Sequence, residues 1–61
     1  MRVKLFEKRK EKGFTQKELA RELGISERQY SRIEAGTSNG KTLYWFRLSE
    51  ILGAKIEDLF K

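Results

Sequence analysis

Residues 15–36 constrain this chain most, because their sequence predicts two short helices joined by a tight turn. We expect the first of these helices over Gln16–Leu23 and the second over Glu27–Ala35. Between them, Gly24 can adopt a positive φ without the penalty of a Cβ atom, and the hydroxyl of Ser26 can cap the helix that follows. A connection this short sets two helices at a steep angle, which is the helix-turn-helix arrangement.

Hydrophobic residues at three- and four-residue spacing predict three further helices. One covers 2–12, another covers about 42–52, and a short one lies near the end of the chain. Thr15 and Glu18 have the spacing of a capping box at the start of the helix that follows. The faces expected to pack inward carry the stem of Arg9 and the side chains of Val3, Leu5, Phe6, Leu19, Ala20, Leu23, Tyr30, Ile33, Trp45, Leu48, Ser49 and Leu52, and the last helix is marked by Ile56, Leu59 and Phe60.

The composition limits what such a chain can do. Its 61 residues suffice for one domain, 1–61, with one small core, and they include neither cysteine nor histidine. We therefore expect no disulfide, no metal and no cofactor. No apolar run approaches the roughly 20 residues that span a bilayer, so we expect no membrane partner. Without a phosphate-cradling glycine loop or paired carboxylates in an evident pocket, we exclude an enzyme and expect no small-molecule ligand.

The net charge of +5 is unevenly placed. Residues 1–32 hold ten Lys or Arg against five Glu, whereas residues 33–61 hold four against four Asp or Glu. All the excess positive charge therefore lies in the half that contains the two-helix motif. A basic face suits a polyphosphate, because released counterions drive the association, although a merely soluble basic surface is the alternative.

Motifs at fixed spacings extend along nearly the whole chain: RKEKG at 9–13, TQ at 15–16, ELA at 18–20, LGIS at 23–26, SRIEAG at 31–36 and LGAKIEDLF at 52–60. In this combination the chain resembles the Cro/repressor-type (Xre-like) helix-turn-helix domains of phage and bacterial regulators. The resemblance implies an all-α fold, a compact five-helix, lambda-repressor-like DNA-binding domain. The chain departs from the family near Gly40 and Lys41, where members commonly have a proline and this chain has none.

The resemblance places base reading on the second helix of the motif, which enters the major groove of DNA. The family's base contacts fall on Glu27, Arg28 and Arg32, and Gln29 and Ser31 are able to reach a base or a phosphate. Arginine reads guanine through O6 and N7, and glutamate can accept a hydrogen bond from cytosine N4. Two alternatives remain open: a solvated polar face, and an intramolecular pair of Glu27 with Arg28 or a neighbouring lysine.

The resemblance also implies contacts to DNA phosphates. Gln16 takes the family's phosphate-binding position at a helix N-terminus, where free N–H groups and a partial positive charge favour an anion. Lys17 beside it is a further candidate. In the loop before the fourth helix we expect Asn39 and Lys41 to contact phosphates, because family loops there follow the DNA backbone or the dimer contact. A mobile loop is the alternative.

Two charged residues are expected to be structural rather than DNA-binding. In the family, an arginine late in the first helix often forms a buried ion pair with a glutamate just before the third helix ends. Arg9 and Glu34 occupy these positions. Such a pair ties the first helix to the recognition helix; the alternative is two exposed charges.

Leu43 and Phe46 are apolar at positions that project away from the expected core face of the fourth helix. An exposed apolar pair indicates a partner surface, and we expect a homodimer. The alternative is packing beneath the loop or the fifth helix. A symmetric dimer would place two recognition helices in successive major grooves, about 34–36 Å apart, on a pseudo-palindrome.

The sequence thus predicts a transcriptional regulator that binds double-stranded DNA in the cytoplasm, associated with the nucleoid. Its small size favours a repressor. The alternative is a helical protein-interaction module or antitoxin-like adaptor on the same scaffold, which would not need Arg28, Gln29 and Arg32 on one helix face. A membrane-surface helix over 2–12 is disfavoured, because that helix is short and its apolar face is needed for the core.

Overall fold

Local capping signals set the bounds of the helices. The computed structural model describes residues 1–61 and contains five helices and no strand: α1 (Val3–Lys12), α2 (Gln16–Leu23), α3 (Glu27–Ala35), α4 (Thr42–Leu52) and α5 (Ile56–Phe60). The all-α, five-helix prediction is confirmed, and only α1 begins one residue later than expected. α2 starts with the capping box of Thr15 and Glu18, whose two hydrogen bonds are 3.0 Å and 2.8 Å long.

The turn between α2 and α3 has the conformation that the sequence requires. Gly24 adopts a φ of +72°, and its N–H donates a hydrogen bond to the carbonyl of Arg21 at 3.1 Å. Ile25 then donates its N–H to the carbonyl of Ala20 at 3.0 Å, which closes the end of α2. Ser26 caps α3 two residues after Gly24, so the turn between the two helices is short.

Inward-facing side chains from all five helices form the core. α2 packs mainly against α3, while α1 and α4 both pack against α5. Burying these faces in one cluster stabilises helices that are each too short to persist alone in water. The buried apolar side chains are Leu5, Leu19, Ala20, Tyr30, Ile33, Trp45, Leu48, Leu52 and Leu59.

The inward face of α1 differs from the prediction. Val3 is 56% exposed and not part of the core, since helical geometry places it about 200° around the axis from the buried Leu5. Arg2 precedes Leu5 by three residues, lies on the same side and is buried instead. Phe6 is half-buried outside the core, where its ring centroid lies 5.4 Å from the guanidinium carbon of Arg9.

Four other residues expected to pack inward are only partly buried. Leu23 and Ile56 pack against the edge of the core, and Phe60 is 37% exposed. Ser49 is half-buried, and its hydroxyl donates a hydrogen bond to the carbonyl of Ala54 at 2.6 Å. This bond fixes the turn between α4 and α5. Because it gives the hydroxyl a hydrogen-bond partner, a serine can occupy a position on the inward side of α4.

Candidate nucleic-acid interface

One face of α3 is polar and open to solvent. Glu27, Arg28, Gln29 and Arg32 are exposed, and Ser31 is half-buried. The opposite face holds the helix in place through buried Tyr30, Ile33 and Glu34. None of the three ion pairs in the structure includes Arg28, Arg32 or Glu27, so the intramolecular pair considered for Glu27 is not formed. The charged groups of this face are therefore available to a partner.

Gln29 has a second role at the start of α3. Its side-chain carbonyl accepts a hydrogen bond from the N–H of Ser26 at 2.9 Å, and its own N–H donates to the Ser26 hydroxyl at 3.1 Å. The amide nitrogen of Gln29 keeps its donors free. Residues 26–29 thus form a second capping box, which fixes the N-terminal turn of the helix.

The N-terminus of α2 lies beside the N-terminus of α3. Gln16 and Glu27 line the same shallow cleft, together with Lys10 and Thr15. Gln16 is half-buried and donates from Nε2 to Glu34 Oε1 at 3.3 Å, while Lys17 is exposed. The positive end of the α2 dipole and a lysine on α1 both favour an anion here.

Arg9 and Glu34 are in direct contact and almost excluded from solvent. Arg9 Nε lies 2.8 Å from Glu34 Oε2, and Arg9 Nη2 lies 3.0 Å from Oε1. Tyr30 donates its hydroxyl to Oε2 at 2.8 Å, and Arg9 also donates to the carbonyl of Phe14 at 2.8 Å. With the Gln16 bond, one carboxylate connects α1, α2 and α3.

The ion pair shifts the pKa of each of its members. Burial alone would raise the pKa of Glu34, but the hydrogen bonds from Arg9 and Tyr30 and the Arg9 charge outweigh it, so the pKa lies below the usual 4.5. The hydrogen bond to Glu34 raises the pKa of Arg9 despite its burial. Burial has the largest effect on Tyr30 and raises the pKa of its hydroxyl, and the hydrogen bond to the Glu34 carboxylate raises it further. Glu34 is therefore ionised and Tyr30 protonated at neutral pH.

Arg2 was not among the residues that the sequence singled out. Its side chain donates to the carbonyls of Phe60 and Ser38 at 2.8 Å and to Asn39 Oδ1 at 2.7 Å. Asn39, for which we expect a phosphate contact, accepts this bond through its side-chain oxygen, whereas its amide nitrogen is the group that would donate to a phosphate. The only sequence signal for the burial of Arg2 is its spacing: it lies three residues before Leu5, on the same side as the inward face of α1.

The loop between α3 and α4 has a conformation that excludes proline. Gly40 adopts a φ of +68°, whereas proline is fixed near −65°. A Cβ atom on Gly40 would also lie 2.9 Å from Cδ1 of Ile33 and 3.0 Å from Cδ2 of Tyr44. The φ of Gly40 and its close packing on α3 and α4 therefore explain why position 40 is not a proline.

The comparisons with known proteins agree with this geometry. The helix-turn-helix family model matches residues 5–59. The chain belongs to the Xre/Cro-type helix-turn-helix family. An uncharacterized HTH-type transcriptional regulator of Archaeoglobus fulgidus is 33% identical over 60 residues, which are 98% of this chain and 86% of that protein. No solved structure matches the chain.

In this helix-turn-helix protein, both ends of α3 are flanked by segments that were expected to contact phosphates. The cleft at the N-terminal end contains Gln16, and a groove at the C-terminal end is lined by Arg32 and Lys41. Gln29 also lines that second groove. The structure thus places the expected base-reading face between two expected phosphate-binding sites.

Leu43 and Phe46 lie apart from both grooves, on the outer side of α4. Leu43 is 64% exposed and Phe46 is 55% exposed, so neither the loop nor α5 covers them. Phe46 lines a shallow apolar groove with Ile56 and the partly exposed Phe60. None of the helices combines the length and the apolar character that crossing a membrane requires.

Proposed function

We propose that this chain is a sequence-specific, double-stranded DNA-binding regulator of transcription. The observation that carries the proposal is the exposed face of α3, on which Arg28 and Arg32 have no intramolecular partner. Arginine is the side chain that most often reads guanine in the major groove, and a helix of this size fits that groove. Membership of the helix-turn-helix family and the transcriptional regulator of Archaeoglobus fulgidus support the same function.

Phosphate contacts on both sides of α3 orient it in the groove. At one end, Gln16 presents its amide beside the free N–H groups of the α2 N-terminus. Lys17 is exposed next to it, and Lys41 lies at the other end of α3. Such contacts carry no sequence information but fix the register of a base-reading helix.

We propose further that the protein binds as a homodimer through the face that contains Leu43 and Phe46. One recognition helix contacts too few base pairs to specify a single site, and a symmetric dimer doubles the number of base pairs that are read. Both side chains are more than half exposed, and an exposed apolar pair is more stable when covered. We propose that the protein acts as a repressor at the nucleoid, in the cytoplasm.

Selection from a random duplex library at about 150 mM salt tests the proposal. We expect enrichment of a palindrome that the protein binds roughly 10³-fold or more tightly than scrambled duplex. Equal, steeply salt-dependent binding to every duplex would leave only a basic surface and favour a protein-interaction module. A reporter gene behind the selected palindrome then tests repression: expression should fall when the protein is supplied, and a rise would contradict a repressor.

A further inference from the structure

Arg2 is buried without a carboxylate partner. Its exposed fraction is 6%, and none of the three ion pairs in the structure includes it. Buried arginines are rare unless they are paired, because removal of a charge from water is costly unless each polar hydrogen finds an acceptor. Burial lowers the pKa of Arg2, yet a guanidinium stays charged in proteins. The position therefore needs an explanation in its contacts.

The guanidinium of Arg2 connects three segments that are distant in sequence. Nε donates to the carbonyl of Phe60 in α5, and Nη1 donates to the carbonyl of Ile33 in α3 and to that of Ser38. Nη2 donates to Asn39 Oδ1. All four bonds are 2.5–2.8 Å long, and the fixed fork of an arginine can satisfy acceptors on several sides at once.

Two aromatic rings lie close to the Arg2 guanidinium. Its carbon lies 4.8 Å from the ring centroid of Phe60 and 5.1 Å from that of Trp45. Trp45 in turn donates its indole N–H to the carbonyl of Asn39 at 2.7 Å. Asn39 therefore takes its hydrogen bonds from Arg2 on its side chain and from Trp45 on its backbone.

Residues 37–41 make few hydrogen bonds among themselves. At the start of the loop, Thr37 and Ser38 donate their N–H groups to the carbonyl of Arg32. Beyond Ser38 only one further bond is internal to the loop, from the N–H of Gly40 to the Ser38 hydroxyl at 3.3 Å. Lys41 follows two residues after Asn39, and its ammonium group has no ion-pair partner. The contacts of Arg2 thus lie two residues before Lys41, which lines the same groove as Arg32.

We propose that Arg2 is a positioning residue for DNA binding, which holds residues 37–41 in the conformation that presents Lys41 to a phosphate. The proposal rests on the proposed function. Arg2 itself is too deeply buried to contact DNA, so its effect passes through Asn39 and Lys41. A lysine at position 2 keeps the charge but lacks the fork that reaches the carbonyls and Asn39 together.

A double-mutant cycle tests this role on the selected palindrome. The dissociation constants of wild type, Arg2→Lys, Lys41→Ala and the double variant are measured below the unfolding temperature of the least stable variant. We expect Lys41→Ala to weaken wild-type binding by about fivefold or more, and the same substitution to cost less than about twofold in the Arg2→Lys background. Lys17→Ala, on the other side of α3, should cost the same factor in both backgrounds.

Every other outcome counts against the proposal. Equal losses from Lys41→Ala in both backgrounds would give Arg2 a purely structural role, and no loss in the wild type would remove Lys41 from the interface. If Arg2→Lys does not fold, Asn39→Ala replaces it in the cycle, because it removes one acceptor and leaves the other three bonds of Arg2 in place. The wild-type titration reports the proposed function separately: failure to prefer any duplex would overturn that function, and the proposal with it.

Discussion

Tyr30 and Glu34 lie one turn apart on α3, and the tyrosine hydroxyl donates to Oε2 of the carboxylate at 2.8 Å. The same oxygen accepts the Nε hydrogen of Arg9 from α1 at 2.8 Å. The carboxylate is 2% exposed, and no buried polar side-chain atom of the structure lacks a partner. A fully satisfied buried network of this kind holds α3 in one orientation on the scaffold.

Glu34→Ala should destabilise the protein far more than Glu50→Ala. Removal of Glu34 leaves the Arg9 guanidinium and the Tyr30 hydroxyl buried without their acceptor, which costs about 3–5 kcal/mol. Glu50 is exposed on α4 and belongs to no ion pair, so its loss should change the free energy of unfolding by less than about 0.5 kcal/mol. Urea unfolding of the two variants measures both, and equal midpoints would contradict the network.

Ionisation of Glu34 should make the stability of the protein depend on pH. Its pKa is lower in the folded chain than the usual 4.5, so the stability that it contributes is present above that value and is lost as the pH falls through the folded pKa. Glu34→Gln cannot titrate, and its deficit in melting temperature relative to wild type should shrink as the pH is lowered from about 7 to about 3. Circular dichroism follows both melts, with Glu50→Gln as the control. A deficit that is independent of pH would show that the charge of Glu34 is unimportant.

Gly40→Ala should cost more stability than Gly53→Ala. Both glycines have positive φ, 68° and 63°, so alanine is strained at either position. Only at Gly40 does the added Cβ also meet the side chains of Ile33 and Tyr44, whereas nothing lies within 4 Å at Gly53. The clash should add about 1–3 kcal/mol to the shared strain. Thermal unfolding of the pair measures the difference, and equal losses would mean that the loop can move away from α3.

Local signals in the sequence account for most of the fold. The helix ends could be predicted because a cap such as Thr15 acts within three residues of the helix that it starts. The Arg9–Glu34 contact followed from the resemblance alone, although the partners are 25 residues apart. The bond from Tyr30 to Glu34 was missed, yet the four-residue spacing of a tyrosine and a glutamate on one helix face was a usable signal.

Contacts between distant segments account for what the sequence did not reveal. Arg2 bonds to residues 31, 36, 37 and 58 positions away, and no local pattern relates such partners. A charged residue is also normally expected at the surface, so the sequence pattern favours Val3 rather than Arg2 for the core. The need for glycine at position 40 depends in the same way on the side chains of Ile33 and Tyr44.

Arg28→Ala and Lys17→Ala should weaken DNA binding in different ways. Loss of a base contact by Arg28 should cost about 1–3 kcal/mol on the selected palindrome and relax the preference at one base pair of each half-site. Loss of a phosphate contact by Lys17 should weaken binding to all duplexes alike and lower the salt slope by about one per contact. Titration against single-base variants at several salt concentrations separates the two. A uniform loss for Arg28→Ala would contradict base reading by that residue.

Phe46→Glu should abolish dimeric binding without unfolding the protein. Phe46 is 55% exposed, so a charge there disturbs little in one chain but would be buried in the proposed dimer. Val3→Glu is the matched control, because Val3 is 56% exposed, lies on α1 and lines a different groove from Phe46. Phe46→Glu should bind an isolated half-site as the wild type does but lose the added affinity of the full palindrome, whereas Val3→Glu should keep it. Retention of that added affinity by Phe46→Glu would move the dimer interface to another face.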